Sequence, residues 1–158
     1  MRYVLLLVAL VGCVPKSPSN YPMGSRSPEY FAVQDPRLTP GDTISTDTSL
    51  FCHPGYTATV RGDEGRIFAP EVYASYGAKK DAECCRVDHL IPLELGGISN
   101  TKNFWPEPTR ESFTKDSVEN YYHRLVCDGK VSALAAQELF RTDWRKGLTV
   151  TRSRTLPH

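Results

Sequence analysis

Hydrophobic and polar positions in the first two thirds of the chain predict short elements. Tyr56–Arg61 alternates between β-forming apolar and polar residues, which predicts a strand. Residues 67–76 have apolar side chains at helical spacing, which predicts a short helix that ends at Gly77. The residues expected to face inward from this helix are Ile67, Val72 and Tyr76. Residues 86–105 predict a β-hairpin whose loop contains Gly96-Gly97.

Two longer helices are predicted after the hairpin. Glu111–Cys127 carries an apolar face at i, i+3, i+4 and i+7, formed by Val118, Tyr121, Tyr122 and Leu125. A polar set with the same spacing lies on the opposite side: Asp116, Glu119, Asn120 and His123. Ser132 is the expected N-cap of the second helix, whose buried stripe is Ala136, Leu139, Phe140 and Trp144. A hairpin and helices in 158 residues predict one small α+β domain.

The first residues have the pattern of a bacterial export signal. Arg2 precedes the apolar run Tyr3–Val11, which is too short to span a bilayer as a stable helix, so residues 1–12 are interpreted as a signal peptide. Leu10-Val11-Gly12-Cys13 resembles a lipobox, in which cleavage leaves Cys13 as a lipidated N-terminus. The alternative is an ordinary signal with a chance cysteine. With residues 13–34 as a tether, the predicted location is a membrane of the cell envelope, on the periplasmic side or the cell surface.

Charge excludes a broad basic binding surface. The chain has 19 basic and 18 acidic residues, and removing residues 1–12 removes only the charge of Arg2, which leaves 18 of each. A neutral chain lacks the basic footprint of a tight nonspecific nucleic-acid binder. The end of the chain is more basic, and we assign residues 35–148 to the domain and 149–158 to a basic tail. That tail would contact phosphates or remain a solvated, frayed terminus.

Four cysteines remain when Cys13 is set aside: Cys52, Cys84, Cys85 and Cys127. An even number in an exported chain favours disulfides, and the residues alone leave three connectivities open. A zinc site is the alternative, but none of the paired Cys-x-x-Cys spacings of such sites is present in the sequence.

The segment DHLIPLELGG, residues 88–97, is the most informative stretch of the chain, and Asn103-Phe104-Trp105-Pro106 follows it. This combination resembles the HNH (His-Me finger, ββα-metal) endonuclease family, in particular a bacterial and phage-associated branch with DHLIPLELGG and N-L/F-W-P-E-P. The resemblance extends roughly over residues 35–146 and is most specific at 86–108 and 115–129. It implies a ββα-metal finger, a β-hairpin followed by a helix, and it favours a Cys52–Cys127 disulfide. Cys84 and Cys85 would then be free, a vicinal pair or intermolecular partners.

The resemblance also implies roles for individual residues. His89 would be the general base and Asp88 a metal ligand, while Asn103 would brace the loop and orient the histidine. The chain departs from the family pattern after the hairpin, where no further His-Asn or Cys-x-x-Cys knuckle follows. We expect the polar face of the 111–127 helix to supply the missing ligand. His123 is the first choice and Glu119 the second, because residues at i and i+4 can converge on one ion.

These residues imply a divalent metal ion and a nucleic-acid substrate. An aspartate with one more ligand suits Mg²⁺, whereas a histidine-rich site would favour Mn²⁺, Zn²⁺ or Ni²⁺. The predicted function is an exported, lipid-anchored, metal-dependent endonuclease that hydrolyses phosphodiester bonds, with DNA as the default substrate and no protein partner inferred. The alternative is a non-catalytic envelope lipoprotein or binding module that retains the HNH scaffold.

Overall fold

The computed structural model describes residues 34–78 and 84–148. Within these ranges the chain combines helices with a two-stranded antiparallel hairpin, which confirms the α+β class. The elements in chain order are α1 (Tyr56–Val60), α2 (Glu64–Tyr76), β1 (Cys85–His89), β2 (Phe104–Pro108), α3 (Ser112–Cys127) and α4 (Ala133–Asp143). The predicted signal peptide, the lipidation site Cys13, nearly all of the tether and the basic tail lie outside the described residues. None of the helices in the described part is long and apolar enough to cross a membrane.

The predicted hairpin is present. In its register Cys85 lies opposite Pro108 and His89 opposite Phe104. The connection between the strands is long and contains a short 3-10 helix, Leu93–Leu95. Its two ends are joined where the backbone N–H of Leu90 donates to the carbonyl of Asn103 at 2.7 Å. The hairpin therefore ends in a fixed loop rather than in a two-residue turn.

The core lies between this hairpin loop and the helices. Its largest fully buried apolar side chains are Trp105, Phe51, Phe104, Phe140, Leu90, Ile91 and Leu95. The segment before α1 packs onto the same loop. Thr39 donates its hydroxyl to the carbonyl of Phe104 at 2.9 Å, and the N–H of Ile44 donates to Gly96 at 2.8 Å. The hairpin is thus held from both sides, which fixes the end of β1.

The prediction of a strand at Tyr56–Arg61 is wrong, because these residues form α1. Gly55 has a left-handed backbone, with φ of 82°, and turns the chain into the helix. The backbone hydrogen bonds are local, as in Arg61 N–H to Thr57 at 3.0 Å, so the segment pairs with no strand within residues 34–78 and 84–148. Tyr56 is the buried residue of α1. The alternating pattern therefore does not correspond to one buried face.

Helix α2 is present but starts earlier and is rotated relative to the prediction. It ends as predicted, with Gly77 in the left-handed conformation at φ 61°. Val72 and Tyr76 are buried, whereas Ile67 is 61% exposed. Tyr73 takes the inward position instead, and its hydroxyl donates to the carbonyl of Cys85 at 3.0 Å. Packing against the hairpin therefore selects the buried face of this helix.

Helices α3 and α4 match their predicted spans closely. Val118 of α3 is buried as predicted, and Val126 rather than Leu125 is the second buried apolar residue. The hydroxyl of Ser132 caps α4 by accepting the N–H of Ala135 at 3.2 Å. Of the predicted stripe, Ala136, Phe140 and Trp144 are buried and Leu139 is half-buried.

The four cysteines of the domain form two pairs. Cys52 and Cys127 are at disulfide distance, with their Cα atoms 5.5 Å apart, and this is the pairing that the resemblance implies. Cys84 and Cys85 form a vicinal pair at the start of β1. With all four sulfurs paired, no thiolate of this set is left for the alternative zinc site.

Gly97 provides a test of the hairpin loop. A Cβ atom at this position would overlap the carbonyl oxygen of Ile91 and crowd the amide of Asn103. We expect Gly97→Ala to lower the free energy of unfolding by about 1–3 kcal/mol, the usual cost of overpacking. Gly65→Ala is the matched control, because a Cβ there would make ordinary contacts with Phe104 and alanine favours a helix. Urea unfolding measures both, and equal stability of the two variants would contradict this role of Gly97.

Candidate active site at the end of the first strand

The candidate site lies where β1 ends, between the hairpin and α3. Successive side chains of a strand point to opposite faces, and Asp88 and His89 do so here. The carboxylate of Asp88 contacts α3 through Lys115, whereas the ring of His89 packs on Phe104 of β2 with centroids 4.6 Å apart. Because the strand ends at His89, the two side chains still approach each other, and Nδ1 of His89 is 4.0 Å from Oδ1 of Asp88.

Three carboxylates gather on the α3 side of β1. One oxygen each from Asp88, Asp116 and Glu119 lies within 4.8 Å of the other two. Asp116 and Glu119 are three residues apart, so they occupy neighbouring turns on one helix face. An all-oxygen donor set fits hard cations such as Mg²⁺ and Mn²⁺ better than Zn²⁺ or Ni²⁺. The residues present therefore fit the kind of ion that the resemblance implies.

A fully buried lysine holds this carboxylate cluster to the strand. Nζ of Lys115 donates to Glu119 at 2.5 Å, to the backbone carbonyl of His89 at 2.8 Å and to Asp88 at 3.3 Å. It also lies 3.7 Å from Oε1 of Glu107, which is itself fully buried. A charge removed from water needs such partners. Lys115 thus fixes α3 against the end of β1.

Arg86 adds a second, more accessible cation. Its Nη2 lies 3.1 Å from Asp88 and 3.5 Å from Asp116, and its Nε donates to Glu107 at 3.1 Å. The Arg86 side chain is 44% exposed, whereas that of Lys115 is not exposed at all. The guanidinium therefore covers the cluster from the solvent side.

The carboxyl groups of the cluster differ in their affinity for protons. Burial raises the pKa of Asp88, but Lys115 and Arg86 outweigh burial, so the pKa lies well below its usual range. Burial raises the pKa of Glu107 to about 8, and the negative charge of Asp88 adds to this effect. Burial also raises the pKa of Glu119 to about 7, against the attraction of Lys115. Of Asp88, Glu107 and Glu119, Asp88 is therefore the one that is ionised throughout the neutral range.

His89 is held as a neutral imidazole. Burial lowers its pKa to about 4, although the charge of Asp88 opposes the shift. Nε2 lies 3.0 Å from the hydroxyl of Ser99. In the tautomer in which Nε2 donates to Ser99, the lone pair is on Nδ1, the nitrogen nearer to Asp88. At neutral pH the ring is therefore in the uncharged form that can accept a proton, and the lowered pKa makes it a weaker base than an exposed imidazole.

Asn103 braces the loop and makes no direct hydrogen bond with His89. Its Oδ1 accepts the N–H of Ile91 at 2.9 Å, and its Nδ2 donates to the carbonyls of Ile91 and Ile98 at 2.9 and 3.0 Å. The hydrogen-bond partner of the histidine ring is Ser99, which the sequence analysis did not single out. A hydroxyl residue two positions after Gly97, in the loop that returns to β2, is the signal that was available.

His123 has other partners than the carboxylate cluster. Its Nδ1 is 2.7 Å from the carbonyl oxygen of Glu94 and 3.7 Å from Sγ of Cys127. Of the two predicted helix ligands, Glu119 belongs to the three-carboxylate group and His123 does not. Asp116, which the sequence places on the same polar face, takes the third position. Asn100, three residues before Asn103 in the same loop, donates to Asp42 at 2.8 Å.

A groove of about 850 Å³ runs along α3 from this cluster, and we call it the α3 groove. One wall is the helix face with Asp116, Glu119, Asn120, His123 and Cys127. The segment 51–57 also lines the groove, together with Arg61, Arg86 and Asp88. Asp88 and Asp116 thus open onto a cavity large enough for part of a substrate.

Comparisons with protein-family models, with curated proteins and with solved structures found no match to this chain. Its function is therefore inferred from the residues of the site and from the resemblance carried by residues 88–106.

Lys115 provides a test of the buried network. In Lys115→Met the carboxylates of Asp88, Glu107 and Glu119 lose their shared buried cation, so we expect the free energy of unfolding to fall by about 3–5 kcal/mol. Lys130→Met is the matched control, because the Lys130 side chain is 62% exposed and its partner is Asp128 at the surface. Urea unfolding at pH 7 measures both variants. If Lys115→Met were no less stable than Lys130→Met, the network would not hold α3 to β1.

Proposed function

We propose that this chain is a metal-dependent endonuclease of the HNH type that hydrolyses phosphodiester bonds. The observation that carries the proposal is a neutral imidazole, His89, beside a carboxylate that converges with two others on an adjacent helix. Hydrolysis of a phosphodiester needs a base for water and a positive charge near the phosphate. In this site His89 is the proposed base, and the three carboxylates are proposed ligands of a metal ion that supplies the positive charge.

The order of the elements supports the finer assignment to a ββα-metal finger. β1, β2 and α3 follow each other in the chain, and α3 contacts the connection between the strands at Leu93–Leu95 and the end of β1 through Lys115. In this assignment Asp88 comes from the first strand and Asp116 and Glu119 from the helix. All three are therefore held by elements rather than by a free loop, which favours a precise site.

His89 is the proposed general base. Nδ1 accepts a proton from water, and the hydrogen bond from Nε2 to Ser99 keeps the ring in the required tautomer. Asn103 acts indirectly: it fixes the loop that carries Ser99, and Ser99 contacts the ring of His89. Ser99 and Asn103 are thus positioning residues, and the positive charge that forms on His89 is stabilised by the neighbouring Asp88.

The proposed metal ligands are Asp88, Asp116 and Glu119. When bound there, a divalent ion supplies a positive charge that stabilises the developing charge of the phosphate. Mg²⁺ and Mn²⁺ are the proposed ions, because all three donors are oxygen atoms. His123 lines the same groove. If the bound ion were Zn²⁺ or Ni²⁺, which accept imidazole ligands, His123 would take the place of one of the three carboxylates.

The proposed location is outside the cytoplasm, with the protein anchored to a membrane through a lipid on Cys13. The two cysteine pairs of the domain support export, since disulfides persist in oxidising compartments. DNA is the proposed substrate, as the resemblance implies.

A second candidate is a non-catalytic binding lipoprotein. The observation that favours it is the pair of cations already present in the cluster, since Lys115 and Arg86 both contact Asp88. In such a binding protein the ion pairs of Lys115 and Arg86 with Asp88 stabilise the fold, and the α3 groove binds a ligand without cleaving it.

A cleavage assay separates the two candidates. We expect the protein to cut supercoiled plasmid or circular single-stranded DNA in Mg²⁺ or Mn²⁺, and EDTA to abolish cutting. His89→Ala should lower the rate by about 100-fold or more, because general base catalysis contributes a factor of about 10²–10⁴. Lys130→Ala, at an exposed position, should cut like the parent. If the parent and His89→Ala leave both DNAs equally intact with every metal, the chain is not an endonuclease.

A further inference from the structure

We propose that Asp42 is a positioning residue of the active site, because it fixes the part of the loop in which Ser99 contacts the ring of His89. This inference rests on the proposed function, in which His89 is the general base, and it adds a residue from the segment before α1. The observations that carry it are the hydrogen bonds of Asp42 with the residues on both sides of Ser99.

The backbone of Asp42 fixes the residue that precedes Ser99. Its carbonyl accepts the N–H of Ile98 at 3.2 Å. The next residue, Thr43, pairs with Gly97 in an antiparallel bridge. Such a bridge joins two segments through their backbones, so a change of the Asp42 side chain leaves it in place. The loop is therefore attached to the segment before α1 as far as Ile98.

The side chain of Asp42 fixes the residue that follows Ser99. Its Oδ2 accepts the side-chain amide of Asn100 at 2.8 Å, and Oδ1 of the same amide accepts the N–H of Lys102 at 3.0 Å. A carboxylate only accepts and a carboxamide both donates and accepts, so this series of bonds uses each group in its own role. Ser99 thus lies between two residues that Asp42 contacts, one through its backbone and one through its carboxylate.

The position of Ser99 matters because its hydroxyl is the hydrogen-bond partner of the histidine ring. Nε2 of His89 lies 3.0 Å from Oγ of Ser99. Hydrogen bonds weaken steeply outside their usual distances and angles, so a shift of Ser99 by about 1 Å would lose this contact. The geometry of the proposed base therefore depends on where the loop places Ser99.

Asn103 and Asp42 hold this loop in different ways. Asn103 belongs to the loop, where its Nδ2 donates to the carbonyl of Ile98 and its N–H donates to the carbonyl of Asn100, both at 3.0 Å. Asp42 lies 58 residues before Asn100 and contacts the loop from another segment of the chain. The segment before α1 is therefore part of the support for His89, as precise sites require of the residues around them.

Proton exchange at the His89 ring tests this inference without reference to cutting. Nuclear magnetic resonance of the isotope-labelled full chain measures how fast the Nε2 proton exchanges with water, and His89→Gln identifies the signal by its loss. We expect Asp42→Ala to speed this exchange by about tenfold or more, because a loosened Ser99 exposes the N–H to water. Asp42→Asn should exchange like the parent, since its amide oxygen can still accept from Asn100.

Two further changes make the result specific to the bond between Asp42 and Asn100. Asn100→Asp should speed the exchange, because two carboxylates then face each other. Adding Asp42→Asn to it should restore the parent rate, since the new amide donates in the opposite direction. Asp47→Ala is the matched control, because the exposed Asp47 carboxylate bonds to Ser49, two residues away, and this variant should exchange like the parent.

A cleavage assay shows whether Asp42 acts through Ser99. Asp42 is not one of the three carboxylates and does not line the α3 groove, so Asp42→Ala should leave KM and Mn²⁺ affinity unchanged. We expect it to lower kcat about tenfold, since small misplacements cost up to about 10²-fold. Ser99→Ala should lower kcat as much, and combining the two changes should cost no more than Ser99→Ala alone. Additive losses would show that Asp42 acts independently of Ser99 and would overturn the inference.

The outcomes also separate this inference from the proposed function. Faster exchange in Asp42→Ala, in a parent protein that does not cut DNA, refutes the endonuclease and leaves the support of His89 by Asp42 intact. Cutting by the parent together with an exchange rate that Asp42→Ala leaves unchanged supports the endonuclease and overturns the inference. A parent protein without a slowly exchanging Nε2 proton on His89 overturns it as well.

Discussion

The ammonium group of Lys115 is the interaction on which the site depends. It reaches from the first turn of α3 to the backbone carbonyl of His89 and to two carboxylates, in a position with no access to water. An unpartnered charge would be very costly there, so the ammonium and the carboxylates must be buried together. The ionic contacts of Lys115 thereby join the end of the strand to the helix. The separation of Asp88 from Glu119 follows from the same contacts.

The contacts of Lys115 make the two sides of β1 chemically different where the strand ends. On the α3 side the cations keep Asp88 ionised and the carboxylates crowd together. On the other side His89 packs against Phe104 and loses its hydration, so its pKa falls to about 4. His89 therefore stays uncharged although its Nδ1 lies only 4.0 Å from the carboxylate of Asp88. The α3 groove opens on the anionic side, where a phosphate would need a bound cation to approach.

The fold could be predicted from the sequence where local patterns decide it. Ser132 caps α4, Gly77 ends α2 and the hairpin forms around Gly96, because each of these depends on a few neighbouring residues. Tyr56–Arg61 was predicted wrongly, because an alternating pattern makes a strand only when a partner strand is available. Ile67 was predicted wrongly because the face that α2 buries is determined by contacts with the hairpin, which no pattern within the helix reveals.

The residues of the site also fall into those that local patterns predict and those that depend on tertiary contacts. Asp88, His89 and Glu119 could be selected from motif and helix spacing, and they do lie near each other. Lys115 could not be recognised, since a lysine next to Asp116 on a polar helix reads as a surface residue until its depth is known. His123 was preferred over Asp116 because it lies four residues from Glu119 on the same helix face. The contact of His123 with the carbonyl of Glu94 depends on the loop position, which is a tertiary feature.

The central claim about the site can be measured directly. The claim is that Asp88, Asp116 and Glu119 bind one divalent ion beside Lys115, without His123. Electron paramagnetic resonance of Mn²⁺ titrated into the parent protein and into Asp116→Asn and His123→Ala measures this. We predict one bound ion in the parent, at least tenfold weaker binding in Asp116→Asn, and unchanged binding in His123→Ala. Loss of the ion in His123→Ala with unchanged binding in Asp116→Asn would contradict the account.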